Sequence, residues 1–450
     1  MPVRPSATRP FRLLVAGLSA LSIAALAYPA SAATLCVNPD GHHGCSATIG
    51  AAVSAASPGD IIQVWPGVYN EQVTITKSLS LISSEPLGAV IDATNFGNGI
   101  WVDGMSAAPN PGVANVVISG FKVRNANYEG ILLTNATNVT LEGNEVIDND
   151  RSLDSAGGTC PGINTSFETN EQDDCGEGVH LMGVDHSTIL RNEVAHNAGG
   201  ILISDETGPN VHNLISENFV HDNVYDCGIT LASHGPATSL IPTARLSFGV
   251  GYNTISRNVS MRNGTQTPGA GVGIFAPSPG TTNTGNVVID NEILGNGATG
   301  VAMHNHAAPP SPAPPIDFND NAIIGNHFSG NGPDNPGAPT PGPTGINVFS
   351  MAAITGTVIA QNTFDNEAID IGFTAPTGVQ LNVHFNDFST GIAIDNLGAA
   401  AVDATENWWN CAAGPGGKRC ATVQGSGVSF TPWLTWPFDS DGDGGGNHGH

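Results

Sequence analysis

Gly178-Val179-His180-Leu181, Thr188-Ile189-Leu190-Arg191-Asn192, Gly200-Ile201-Leu202-Ile203, Leu214-Ile215-Ser216-Glu217-Asn218 and Gly228-Ile229-Thr230-Leu231 follow one another along the chain. Two phrases alternate in this stretch. One is glycine, an apolar residue, a variable residue and a second apolar residue; the other is a short apolar run closing on asparagine. The glycine phrase recurs at Gly130, Gly300, Gly345 and Gly391, with degenerate copies beginning at Gly273 and Ala368. The asparagine phrase recurs at Asn144, Asn258, Asn291, Asn326, Asn362, Asn386 and Asn407. The shortest spacings are roughly 21 to 28 residues, the period of a solenoid built from stacked repeats.

The local pattern decides which solenoid. Segments such as Thr188-Ile189-Leu190 and Val287-Val288-Ile289 are short and β-branched, are bounded by Gly or Asn, and show no helical period. Each coil therefore holds two or three short strands joined by bends. Stacked coils pair equivalent strands in parallel at about 4.8 Å. Apolar residues flanking the variable position point inward, and the asparagines can form an amide ladder. A propeller or sandwich would need regular hairpin turns, and the sequence has no such signal.

The 450 residues carry a net charge of -26, with a pI near 4.5, 57 Gly and 31 Pro. Apolar residues reach 40%, enough for a packed core and against disorder. Few strong helix formers remain, which excludes a helical bundle. The acidic balance argues against nucleic-acid binding through phosphates, which needs a basic stripe. Arg4, Arg9 and Arg12, the apolar run Leu13 to Ala27, and Ala30-Ser31-Ala32 read as a signal peptide over residues 1–32. That run is too short for a stable span, so the expectation is a secreted, soluble, monomeric protein, extracellular or periplasmic, with no membrane partner. Cysteine spacing suggests the pairs Cys36–Cys45, Cys160–Cys175 and Cys411–Cys420, leaving Cys227 as a buried, inert thiol.

A solenoid must cover its ends. Ser46 is placed to N-cap a short helix with apolar positions Ile49, Ala52, Val53 and Ala56, stopped by Pro58-Gly59. Strands at Ile61 to Trp65 and Val73 to Ile75 then begin the coils. Trp408, Trp409, Trp433 and Trp436, with Phe430 and Phe438, are placed to cover the last coil. The expected organisation is a cap over 33–58, the solenoid over 59–405, a closing segment over 406–438 and a flexible acidic tail over 439–450.

Two stretches carry a family resemblance. Thr48 to Ser83 contains Ala56-Ser57-Pro58-Gly59-Asp60 and Pro66-Gly67-Val68-Tyr69-Asn70-Glu71. Glu406-Asn407-Trp408-Trp409 is followed by Gly414-Pro415 and Thr431-Pro432-Trp433-Leu434. With these, the chain resembles secreted right-handed parallel β-helix proteins of the pectate-lyase-like superfamily, of the generic β-helix-repeat or NosD-like type. The resemblance covers nearly all of the mature chain. It implies an all-β, single-stranded right-handed parallel β-helix with a short N-terminal capping helix.

Long insertions fall at about 150–177, 233–249, 264–272, 305–317 and 331–343. All of them border the glycine-phrase strands, so they rise along the edges of one sheet and make its outer face the floor of a groove. Floor positions are His180, Leu202, Thr230, Phe275, Ala302, Asn347 and Asp370. Asp205 and Glu206 lie at the offsets of Ser233 and His234 in the next coil, and His304, Asn305 and His306 take the corresponding places two coils later. Asp173, Asp174 and Glu177 enter from the opposite edge. The expected catalytic set is His180, Asp205, Glu206, His234, His304 and His306, with Asp173, Asp174, Thr230, Phe275, Asn347 and Asp370 contacting substrate. Such an acid–imidazole row serves general acid–base chemistry or a metal, and two carboxylates one or two coils apart suit glycoside hydrolysis. Solvated corner residues would look the same in so acidic a chain.

Departures from related enzymes limit the transfer. Asp173-Asp174 matches one fragment of the polygalacturonase-like pattern and nothing supplies the rest. No arginine falls on the floor positions, whereas pectate-lyase-like enzymes use calcium-binding aspartates with an arginine base. The tail Asp439-Ser440-Asp441-Gly442-Asp443-Gly444 opens like a calcium loop but lacks the closing Glu. The cofactor is left open, with calcium the candidate. The expected function is recognition of an extracellular polysaccharide, with cleavage by a lyase or hydrolase as its catalytic form. The alternative is a non-catalytic surface or adhesive scaffold.

Overall fold

The computed structural model describes residues 32–107, 112–149, 176–233, 247–277, 280–305, 316–334, 340–376, 378–389 and 391–438. Three parallel walls run the length of the stack. The first holds the glycine-phrase strands, among them Ile100–Asp103, Val179–Asp185, Ile201–Ser204, Ile229–Ala232, Val272–Phe275, Val301–Asn305 and Thr344–Ser350. The second includes Thr188–Leu190, Leu214–Ser216 and Thr254–Ser256. The third is a ten-stranded sheet whose strands include Glu193–Ala195, Phe219–His221 and Glu292–Leu294. The long strand Ile131–Glu142 serves the first wall with its beginning and the second with its end.

Register follows the apolar pattern. Ile131, Val179, Ile201, Ile229, Val272, Val301 and Ile346 form one inward rung row, each at most 1% exposed. β-branched residues fit this pleated, doubly flanked setting, and burying each contributes about 1.5–3 kcal/mol. In the C-terminal half the row beneath the third wall turns aromatic: Phe328, Phe364, Phe388 and Trp409 succeed one another at centroid spacings of 5.1, 5.9 and 4.8 Å.

The expected asparagine ladder is present and runs from Asn144 to Asn407. Asn258 is representative. Its Nδ2 donates to Asn291 Oδ1 (3.0 Å) and to the Ile215 carbonyl (2.9 Å), while its Oδ1 accepts from Asn218 Nδ2 (3.0 Å) and backbone N–H (2.9 Å). Two further ladders accompany it. One joins Asn149, Asn197, Asn223, Asn263, Asn296 and Asn331 and ends on Glu367. The other joins Asn213, Asn253 and Asn286 to Asn321. The residue before each ladder asparagine is commonly left-handed, as at Arg257 (φ 52°), Arg262 (φ 54°) and Tyr252 (φ 55°), which turns the chain between walls.

At the N-terminal end, Thr34–Val37 pairs in parallel with Ile61–Val64, so stacking already includes residues ahead of the helix Ile49–Ala55. The helix buries Ile49, Ala52 and Val53 as expected. Its N-cap is Thr48, whose hydroxyl accepts from Ala51 N, and not Ser46. Ser46 is held in a bridge to Val37, two residues ahead of the N-cap position and too early to reach the helix's free N–H groups. Cys36–Cys45 and Cys411–Cys420 are bonded; Cys160–Cys175 lies outside the described residues. Among the tryptophans, Trp409 is fully buried and Trp433 packs against the core, while Trp436 is 69% exposed. The tail 439–450 and segment 1–31 also lie outside the described residues, and no described helix is long and apolar enough to cross a membrane.

Candidate functional site

Outward-facing residues of the first wall form vertical rows. One row is Trp101, Leu132, His180, Leu202, Thr230, Gly273, Ala302, Asn347 and Gly372. Two expected floor residues are therefore misplaced. Phe275 pairs with Ala232 and His304, two residues further along the strand. Asp370 precedes Ile371, the partner of Ile346, and so stands at the level of Gly345. A second correction concerns exposure: His180, Leu202, Thr230, Ala302 and Asn347 are all buried, so this face is no open floor.

Three consecutive coils converge on this face. Glu129 and Glu177 stand immediately before Gly130 and Gly178, the glycines of adjacent coils, and the Gly130 N–H donates to the Glu177 carbonyl. Their carboxylates and the His180 imidazole lie within 4.8 Å of one another, and all three residues are buried. His180 Nδ1 faces Glu129 Oε1 at 3.6 Å. His180 Nε2 lies 2.9 Å from Ser204 Oγ, and Ser204 donates in turn to Glu206 Oε2. Neither oxygen of Glu129 has a hydrogen-bond partner among the described residues, nor does His180 Nδ1. Burying a carboxylate in that state is costly.

Asp205 has a different task. Its Oδ2 accepts from the Gly249 N–H and the Ser247 hydroxyl, and from Ser233 Oγ at 3.3 Å, tying successive coils together. The expected equivalence of Asp205 and Ser233 is thus present. Thr230 hydrogen-bonds the buried Cys227, whose thiol is pushed well above its ordinary range by burial. Further along the same face, His304 Nε2 lies 2.7 Å from Asp334 Oδ2, which also accepts from Asn347 Nδ2 at 2.7 Å. Phe275 and Phe349 flank the His304 ring at 5.9 and 6.2 Å. Four rung steps separate this group from His180, about 19 Å at the strand spacing. Asp370 accepts from Ser389 N and Oγ, and burial pushes its carboxyl up to about 8. It takes no part in either group. Asp173, Asp174, His234 and His306 lie outside the described residues.

An open groove of about 1030 Å³ lies elsewhere, on the outer side of the third wall. Trp408 and Phe438 supply aromatic faces, and Glu292, Asp365 and Asp387 supply acceptors. His327 bridges Glu292 (2.6 Å) and Asp365 (3.1 Å). Burial pulls its imidazole down, but the hydrogen bonds and charges of both carboxylates outweigh this and hold it above its usual range.

Comparison with known proteins places this architecture. The family described as "Right handed beta helix region" matches residues 98–242. No curated protein sequence matches the chain. Among solved structures, the catalytic domain of a GH87 α-1,3-glucanase in complex with tetrasaccharides is similar at TM-score 0.50 and 12% identity, over 82% of this chain and 63% of that one. Pectate lyase Pel9A is similar at TM-score 0.49 and 16% identity, over 76% and 78%. The GH87 α-1,3-glucanase of Streptomyces thermodiastaticus strain HF3-3 is similar at 0.47 and 14%, over 92% and 71%. Residues 98–242 thus match the family described as a right-handed β-helix region, and the chain has a right-handed parallel β-helix fold.

Proposed function

We propose that the protein is secreted, recognises an extracellular polysaccharide and cleaves it with the groups gathered on the first wall. One observation carries this reading: side chains of three successive coils meet at Glu129, Glu177, His180, Ser204 and Glu206. Scattered titratable residues would have suited a scaffold. The Glu206–Ser204–His180 line is a path along which a proton can move to or from a bridging oxygen, the general acid–base step of glycosidic cleavage. In hydrolysis the anomeric C–O bond breaks, water supplies hydroxyl to the carbon, and its proton goes to the leaving oxygen. The described outward rows of this wall hold no Lys or Arg, so nothing on them offsets the charge of a uronate. A neutral glycan is therefore the favoured substrate class.

A binding-only reading has its own observation, the groove on the third wall. Sugar rings stack on aromatic faces while carboxylates accept their hydroxyl protons, and Trp408 with Glu292 and Asp365 offers both. The two readings separate in one experiment. Neutral and uronic glycans are screened for product and for binding, using wild type, His180→Ala and Trp408→Ala. Product that disappears only with His180→Ala supports cleavage on the first wall. Binding without product, abolished only by Trp408→Ala, supports the groove alone and sinks the catalytic reading.

A further inference from the structure

From the donor set on the first wall, we propose that Glu129, Glu177 and His180 hold one divalent transition-metal ion, of the zinc or manganese class. The inference rests on the same site as the proposed cleavage but makes a separate claim.

The argument begins with proton bookkeeping along the relay. With Glu206 ionised, its Oε2 accepts, and the single Ser204 hydroxyl proton is spent on it. Ser204 Oγ must then accept from His180, which fixes the proton on Nε2 across the 2.9 Å contact. The other ring nitrogen, Nδ1, points at Glu129 Oε1 from 3.6 Å. That is too long for a hydrogen bond. If Nδ1 carries no proton, a lone pair faces a carboxylate in a fully buried setting, and a cation between them removes the repulsion. Two ligands on one tetrahedral ion with bonds of about 2.1 Å stand about 3.4 Å apart, close to the distance observed.

Three further features agree. All three donors are at most 1% exposed, and both oxygens of Glu129 lack a hydrogen-bond partner among the described residues. The donor atoms lie within 4.8 Å of one another. The histidine's outer nitrogen is held by a fixed acceptor, Ser204, as metal-bound imidazoles commonly are. The imidazole selects the ion class. Calcium takes six to eight oxygen ligands, whereas nitrogen with two carboxylates suits zinc or manganese.

The test uses full-length protein stripped with a chelator and desalted. Titration calorimetry with ZnCl₂, MnCl₂ and CaCl₂, with elemental analysis after gel filtration, should show one equivalent of zinc or manganese bound at least tenfold tighter than calcium. Glu129→Gln and His180→Asn should each weaken it tenfold or more, while His327→Ala, altering the third-wall histidine, should leave it unchanged. Absence of stoichiometric binding, preference for calcium, or binding indifferent to both first-wall changes overturns the inference. Should either variant misfold, the visible spectrum of cobalt-loaded wild type decides: bands of a nitrogen- and carboxylate-ligated ion support the site, and an aqueous-ion spectrum overturns it. Glycan cleavage by a chain that binds no metal refutes the metal alone; metal binding without any glycan product refutes the cleavage alone.

Discussion

Asn331 donates both its backbone N–H (3.1 Å) and its side-chain amide (2.9 Å) to one oxygen of Glu367. A carboxylate thus stands at the end of a ladder whose earlier members are asparagines. Burial pushes Glu367 from 4.5 up to about 7, against the opposing hydrogen bonds from Asn331, and pushes nearby Asp370 from 3.8 up to about 8. Both acids hold their protons in the folded chain at pH values where the unfolded chain has lost them. Their contribution is fully present below about pH 4 and is lost as pH rises to about 7–8. The urea midpoint should therefore fall between pH 5 and pH 8, and Glu367→Gln should flatten that fall. An unchanged slope in the variant would contradict the assignment.

The ladder amides should be expensive to remove. Asn258→Ala deletes two donated and two accepted bonds in a buried setting and leaves its neighbours unpaired. A loss of about 3 kcal/mol or more is expected in urea unfolding. A double-mutant cycle with Asn291→Ala should show strong coupling, because the pair shares a bond.

Gln361 precedes ladder residue Asn362 with φ of 59° and is exposed. A side chain there costs about 1 kcal/mol relative to glycine, partly offset by glycine's freer unfolded state. Gln361→Gly should raise the thermal midpoint slightly. A drop would mean that the glutamine side chain makes a stabilising contact of its own.

Ser204→Ala removes the acceptor for His180 Nε2 and the donor to Glu206 at once. With a buried N–H left unpaired, stability should fall by about 1–3 kcal/mol. Any cleavage should lose kcat more than it changes KM, and Ser204→Thr should restore part of it. A purely structural serine would move stability and leave the pH–rate profile of the residual activity untouched.

Much of this fold could be read from the chain, because the inward apolar rows and the first asparagine ladder repeat once per coil. The other two ladders carry the same signal five residues to either side: Asn213, Asn218 and Asn223 in one coil, and Asn253, Asn258 and Asn263 in the next. The frame errors at Phe275 and Asp370 have a simple cause. Gly271-Val272-Gly273-Ile274 fits the glycine phrase in two frames two residues apart, and a period of two cannot choose between them. In the coil of Asp370, aspartate stands where glycine is usual, which hides the phrase. Glu129 lies outside the glycine phrase, preceding Gly130 as Glu177 precedes Gly178, so the repeat alone does not mark it. Exposure of the wall is not legible in the sequence, because a pattern of inward and outward residues says nothing about what lies over the outward ones.

The central claim is that coils distant in sequence assemble one working site around His180. Its most direct test is release of reducing ends from a neutral glycan by wild type, His180→Asn and Trp408→Ala, each with its folding verified by circular dichroism. The account predicts product from wild type and from Trp408→Ala, and at least a hundredfold less from His180→Asn. Equal product from His180→Asn, or no product from any glycan with wild type, would contradict it.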